Sequence, residues 1–361
     1  MLIQNNSIYS FNKFHIQNQI AFKKCCTVFD STNKSKQKII SGKIAEIESK
    51  ANKPINQIGA QELFNIIGIE AKTDKDGMLI ISEYKQPDDN ISFSDLGINE
   101  DELIKNVKII KGDADFYNSS ITKFENTISI GGNADFRNSK FESLGKLSDI
   151  GKNALFIDSN ITNLSDLEKI GGSAYFNDSK IKSLNNLKSI GNKADFSHSL
   201  VNDLGELYAI GGNANFYQSE VKSLNKLTYI DGSMFLNDSA VEDLGELRHV
   251  ALDAIFTNSK VKNLNNLTVI GRNAEFNNSC VEDLGKLNYI GKNANFTNSK
   301  IESLKNLETI AKDADFSNSP VKDLGNLKSI GKTAYIQDSN ITADMLKGIC
   351  SSVSYSKYIP N

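Results

Sequence analysis

Residues able to do nucleophilic or metal chemistry are few in this chain and badly placed for it. The cysteines are Cys25, Cys26, Cys280 and Cys350, and the histidines are His15, His198 and His249. No C-x-x-C occurs, so neither a zinc site nor a disulfide framework is spelled out. Serine is plentiful, and one serine recurs every 20 residues from Ser119 to Ser339. A nucleophile is needed once, beside a base, so a serine repeated at fixed interval reads as structure. The N-terminal region has no glycine-rich phosphate loop and no H-E-x-x-H run. No catalytic residue, metal or cofactor is therefore expected, and the chain is not read as an enzyme.

The elements that would carry a different kind of function lie in the repeat itself. From Lys111 to Cys350 the chain divides without gaps into twelve blocks of 20 residues with the frame G-x-N-A-x-F-x-x-S-x-[IV]-x-x-L-x-x-L-x-x-I. Position four is Ala in every block but the one with Met234, and position six is Phe except at Leu236 and Ile336. The A-x-F pair alternates as a short strand does, with both residues inward. A block of this length has no room for a strand, a full helix and two turns, so the remainder must be extended or 3₁₀ structure turning at Gly and Asn. One coil cannot bury its seven inward side chains alone. Stacked coils can, and the frayed first and last blocks suit terminal caps. The serine of position nine is expected to bond backbone groups of the adjacent turn as a ladder.

The spacing of Ala154-x-Phe156-x-x-Ser159-x-Ile161, with Leu164 and Leu167 following, resembles the leucine-rich repeat. Its length is similar to the short bacterial type, and the L-x-x-L-x-x-I-G-G run resembles receptor L domains. The usual leucines of the strand are Ala and Phe here, and the usual Asn is Ser. The resemblance covers about two-thirds of the chain. It implies an α/β solenoid with one parallel sheet on a concave face, an extended or 3₁₀ convex side and a small mixed N-terminal cap. It also implies a recognition scaffold, with a secreted or translocated bacterial effector or a surface adhesin as an alternative use.

A second period of 40 overlies the first, as D-L-G loops alternate with S-L-N, N-L-N or S-L-K loops from Asp203 onward. Position twelve alternates in sign through Lys222, Glu242, Lys262 and Glu282, which predicts a solvated ladder of ion pairs. Outside the repeat, 1–41 reads as a disordered or targeting tail with Tyr9, Phe11, Phe14 and Phe22. Residues 42–110 read as a cap of helix (42–72), strand (77–81) and an irregular first coil, and 351–361 as a C-terminal tail. A capping helix is expected from Thr342 over Ala343–Cys350. The Cys25–Cys26 pair is read as two neutral thiols.

Composition closes several routes. Lys and Arg number 41 against 44 Asp and Glu, and Arg137, Arg248 and Arg272 are the only arginines. That balance argues against a nucleic-acid partner. No apolar run approaches a membrane span and no Sec-type leader is visible, so a cytoplasmic protein or a non-Sec export route is expected. A protein partner and a monomeric state are the expectation, with self-association through the sheet or the coil ends as a structural alternative.

Outward positions five and seven of each block should tile the partner-facing surface. Most are polar, among them Asp115, Asp135, Asp195, Asn215, Asn295 and Asp315. Apolar residues interrupt them at Leu155, Ile157 and Tyr175, and again at Phe235 and Ile255 with Leu252 beside them; Tyr117 and Tyr217 add amphipathic groups. These residues are the expected partner-binding set. A second candidate is the basic run Arg272, Lys292, Lys312 and Lys332, at position two of four successive coils, placed to meet an acidic or phosphorylated partner.

Overall fold

The computed structural model describes residues 31–88 and 90–356, and the side chains from residue 35 onward. The Cys25–Cys26 pair, His15 and the four aromatics of the N-terminal segment lie outside the described residues. Two units are distinguished, 1–58 and 59–361. In the first, a helix runs Ser31–Ala51, across the boundary expected at residue 41, and a 3₁₀ turn spans Ile55–Gln57.

The second unit begins with a helix, Ala60–Ile66, and an antiparallel pair, Ala71–Thr73 with Leu79–Ile81. A short helix, Glu100–Ile104, follows, started by Asn99, whose side chain accepts the N–H groups of Asp101 and Glu102. Leu79–Ile81 then pairs in parallel with Val107–Ile110, and the coils continue from that edge. Tyr84 stacks on Phe116 at 4.7 Å, so the core's aromatic column starts before the repeat does.

Each coil contributes two short parallel strands. One holds positions nineteen and twenty, as Ser129–Ile130, and the other positions four and five, as Ala134–Asp135. Residues pair with their equivalents 20 residues on, Ile130 with Ile150 and Ala134 with Ala154. A third line of single bridges joins position thirteen, as at Ser183 and Asp203. This is a parallel β-solenoid. The α/β expectation is corrected, and of the extended or 3₁₀ alternatives for the rest of the coil the extended one is found: among the described residues no helical segment occurs between 111 and 350. The reason is length. Two strands, two four-residue turns and the extended links between them use up the coil.

Both turns are written in the sequence. Position nine donates its N–H to the carbonyl of position six in every coil, from Ser119 to Phe116 at 3.0 Å to Ser339 to Ile336 at 3.3 Å. The residue between, position eight, has positive φ in all twelve coils and is Asn or Asp in ten of them. Those side chains tolerate the left-handed region best after glycine. A second turn joins Leu144 to Leu147 at 3.1 Å and recurs in each coil through Leu327. Its left-handed residue is Gly in one coil and usually Asn in the next. At Gly245 φ is +56°, and a Cβ there would lie 2.3 Å from the Asn225 carbonyl oxygen.

The 40-residue period has a cause in this turn. In D-L-G coils Asp203, Asp243 and Asp323 each accept the Gly N–H two residues on, at 2.9 Å. Their other oxygen accepts the hydroxyl of Ser183, Ser223 and Ser303 on the preceding coil. Asn225 and Asn265 donate to Asp203 and Asp243 from the following side. The Ser303 hydroxyl and the Gly325 N–H hold the Asp323 carboxyl below the usual carboxylate range. An Asp in every coil would put like charges about 4.8 Å apart, a repulsion of about 1 kcal/mol in water and about 3 kcal/mol at an effective dielectric of 20. Alternation doubles that separation and supplies a donor on each side.

The core is a set of columns of one residue type. Phe136, Phe156, Phe176, Phe196 and Phe216 stack at 5.0–5.4 Å with rings within 15° of parallel, and the stack resumes from Phe256 to Phe316. Offset-stacked rings at this distance add attraction to the area they bury. Met234 and Leu236 interrupt the column, and both are fully buried. A longer side chain at position four fills the space left by a smaller one at position six.

Two sequence expectations fail here. The serine ladder does not form: the buried hydroxyls of Ser139, Ser159, Ser179, Ser199, Ser219, Ser259 and Ser319 have no partner. Position nine needs a small residue whose N–H closes the turn, and the hydroxyl points into a column too widely spaced for hydroxyl-to-hydroxyl bonding. The others bond within their own coil or to the cap: Ser239, Ser279 and Ser299 accept the N–H two residues on at 3.4 Å and Ser339 does so at 2.9 Å, while Ser119 donates to buried Glu100 at 2.5 Å. The expected C-terminal helix is a run of turns, closed by the strand Cys350–Ser354 against Ser329–Tyr335. Gly348, at φ +78°, favours such a turn over a continuing helix.

The column at the interruption yields a test. Leu236→Phe overfills a site already occupied by Met234 and is expected to cost about 1–3 kcal/mol. Met234→Ala with Leu236→Phe restores the regular column and should recover most of that loss. Denaturant unfolding of the two single variants and the double variant measures the coupling.

Candidate functional surface

Strand alternation puts positions three, five and seven of each coil on the outside of the Ala-x-Phe ladder. Position three is used up by structure. The Asn133 side-chain oxygen accepts the Asn153 N–H at 3.2 Å, and the Asn153 oxygen accepts the Ser173 N–H at 2.7 Å. The same link recurs from Asn213 to Ser233 and from Asp253 through Asn273, Asn293 and Asp313 to Thr333. Position five lies between columns three and seven, so even polar residues there are covered: Asp195 is 4% exposed and Asn215 and Asp315 are 7% exposed.

The apolar residues expected on this face are there, in two separate groups. Leu155 pairs with Tyr175, and Phe235 with Ile255, each in direct register on adjacent coils. All four are partly exposed, as are Ile157, Tyr217 and Leu252. Met234 and Leu236 turn inward, so Phe235 faces outward despite the irregular core of its coil. The groups differ in their surroundings. The Lys193 ammonium lies 5.2 Å from the Tyr175 ring centroid and 2.8 Å from Asp195, covering one side of the first group. His198 meets Tyr217 edge-on at 5.5 Å. The Phe235–Ile255 pair is bordered along its column by Asn215 and Glu275.

Burial raises the Glu275 carboxyl above its usual range, and Asp253 and Asp315 add to the rise, while the Asn295 amide, 3.0 Å away, opposes it. Asp115 is raised as well, by burial first and by its neighbour Asp135. Like charges in partly desolvated positions are held on this face without a cation for each. Arg137 is committed to Asp135 at 2.6 Å and covers the Tyr117 ring at 5.7 Å.

A second outward surface escaped the sequence reading. Position nineteen alternates with the buried Ile of position twenty, and on successive coils it carries Tyr229, His249, Val269 and Tyr289 in one register. Tyr229 and His249 stack at 4.9 Å and 8°. Tyr208, one residue earlier in its coil, is 51% exposed, and Tyr229 and Tyr289 are each 40% exposed. The signal was available: any residue before a buried strand-end isoleucine must point out.

The charge columns also differ from expectation. The position-twelve alternation through Lys222, Glu242, Lys262 and Glu282 makes no ion pair; the pair in that column is Lys322–Glu302 at 2.5 Å. Other columns do pair across coils, as Lys188–Glu168 at 2.9 Å, and Lys226–Glu206 and Lys328–Glu308 at 2.7 Å. Arg272, Lys292, Lys312 and Lys332 are stacked in register, each backbone N–H bonding the carbonyl of the one before at 2.8–3.1 Å.

Among the described residues no group of three or more His, Cys, Asp or Glu is arranged to hold a metal ion, and no helix is long and apolar enough to cross a membrane. A cavity of about 20 Å³ beside Glu70, Lys72, Ile80 and Lys111 has room for little more than one water. Comparison with protein-family models, with curated proteins and with solved structures finds no match.

The raised Glu275 carboxyl has a pH consequence. A carboxyl whose folded-state value lies above its unfolded one binds more protons when folded, so its contribution falls as pH rises past the unfolded value near 4.3. Glu275→Gln, which keeps an acceptor for Asn295, should unfold at higher denaturant than the parent at pH 7. The difference should vanish below about pH 4, as equilibrium unfolding at the two pH values would show.

Proposed function

We propose that the chain is a non-catalytic protein-interaction scaffold, in which stacked coils hold constant inward residues and present variable outward ones to a protein partner. The observation that supports this most directly is the in-register pair Phe235–Ile255, set outward and partly exposed in a column otherwise rich in Asp, Asn and Glu. Adjacent apolar side chains inside a polar rim are the arrangement from which interface anchors draw their energy. The likeness of the repeat frame to leucine-rich repeats points to the same use, and the concave face of that family would correspond to columns three, five and seven. The Leu155–Tyr175 group is the lesser anchor, because Lys193 already occupies one side of it.

Phe235→Ser with Ile255→Ser should weaken partner capture by roughly 30-fold or more if the pair anchors the interface. Leu155→Ser with Tyr175→Ser should weaken it less. Circular dichroism of each variant checks the fold, and quantitative capture from cell extracts reads the binding. Full capture by a folded Phe235/Ile255 variant would remove this face from the interface. Growth in size with protein concentration, read by sedimentation, would favour self-association, for which the terminal strand Cys350–Ser354 offers an edge.

A further inference from the structure

The basic column differs from the charge columns that pair. In other columns several outward charges on neighbouring coils are of opposite sign and pair, as in Lys188–Glu168, Lys226–Glu206 and Lys328–Glu308. At position two, four cations follow one another on successive coils. Lys292, Lys312 and Lys332 have no carboxylate within ion-pair distance among the described residues. Arg272 has Asp253 at 3.8 Å, and that carboxylate oxygen already accepts two bonds from Asn273. Asp313, next along from Lys312, accepts the Thr333 N–H at 3.1 Å. The backbone bonds between coils hold these cations in line, so their mutual repulsion cannot be relieved by moving the coils apart.

We propose that this column is a docking site for an acidic α-helix of a partner protein, whose carboxylates lie in a row along one face. The choice of occupant rests on charge complementarity and on pitch. Coils about 4.8 Å apart spread four cations over about 14 Å. Acidic residues at i, i+3, i+7 and i+10 of a helix rise about 15 Å over the same four charges. One face of an extended acidic strand would need about 20 Å, and the phosphates of one strand of B-DNA, though about 3.4 Å apart along the helix axis, wind around it and do not form a straight row. Only the helix meets all four cations without splaying them. The column occupies position two and the Phe235–Ile255 pair position five, with Leu252 next to Arg272 in the basic column, so variants of the lysines test this proposal without altering that pair.

The test uses the full chain and four labelled probes: a stapled helical peptide with Glu at i, i+3, i+7 and i+10, the same composition with Glu scattered round the helix, an alternating Glu-Val peptide, and duplex DNA. Fluorescence anisotropy at low and moderate salt should show the row peptide binding about tenfold or more tighter than the other three. Lys292→Gln with Lys312→Gln should lose about tenfold or more for the row peptide, while Lys292→Arg with Lys312→Arg keeps it. Lys222→Gln with Lys262→Gln, which removes the same charge from another column, should leave it unchanged. Equal affinity for the row and scattered peptides, tighter binding of DNA or the extended peptide, equal loss from the Lys222/Lys262 variant, or no binding at low salt would each overturn the assignment. Thermal melts of the variants confirm that losses arise in binding.

Discussion

Parallel pairing fixes the distance between coils, and every other feature of the repeat answers to that distance. Successive coils of a parallel ladder stand about 4.8 Å apart, and a gapless period of 20 residues places each side chain beside its own equivalent. Each position is thus a column, and a residue type can recur in it only if copies of it tolerate one another at that spacing. Phenylalanine does so by offset stacking. Asparagine does so because its side-chain oxygen can take the next coil's N–H. Leucine and isoleucine do so by filling space.

Aspartate does so less readily, at Asp115 and Asp135 with Arg137 bonded to the second, and the chain shows three responses to that limit. At position thirteen acids are placed in alternate coils, with donors between them. On the outer columns acid and base alternate and pair. At position two the rule is broken, with four cations in succession and a weak carboxylate neighbour for Arg272 alone. The first two satisfy the spacing from within the molecule, and the third leaves charge available to something outside it. The apolar pairs Leu155–Tyr175 and Phe235–Ile255 have the same character: they are poor choices for a solvated column and good ones for a contact.

Much of this was legible from residue order because the chain repeats one experiment twelve times. Inward and outward positions, the stacking axis and the Gly and Asn corners follow from recurrence alone. The readings that failed depended on where atoms end up once backbone bonds are made. The hydroxyls of the recurring serine look like ladder-formers until the turn claims its N–H and leaves the hydroxyl between coils. The alternating charges of position twelve look like ion pairs, yet only Lys322 and Glu302 pair there. The tyrosines of positions eighteen and nineteen lie outside the A-x-F strand, and a second ladder one corner away exposes them.

By itself, the sequence determined that this chain stacks twenty-residue coils around columns of Ala, Phe, Ser, Ile or Val and Leu, since no other arrangement buries so regular a pattern. It also determined where the chain turns, because the residues that accept positive φ sit at the same two places in nearly every coil. The tertiary structure alone decided that the result is a β-solenoid with two strand ladders and no helical convex side. It alone decided which charges are neutralised and which stand free. Pairing depends on side-chain reach across a fixed gap between coils, a distance that exists only after the ladder has formed.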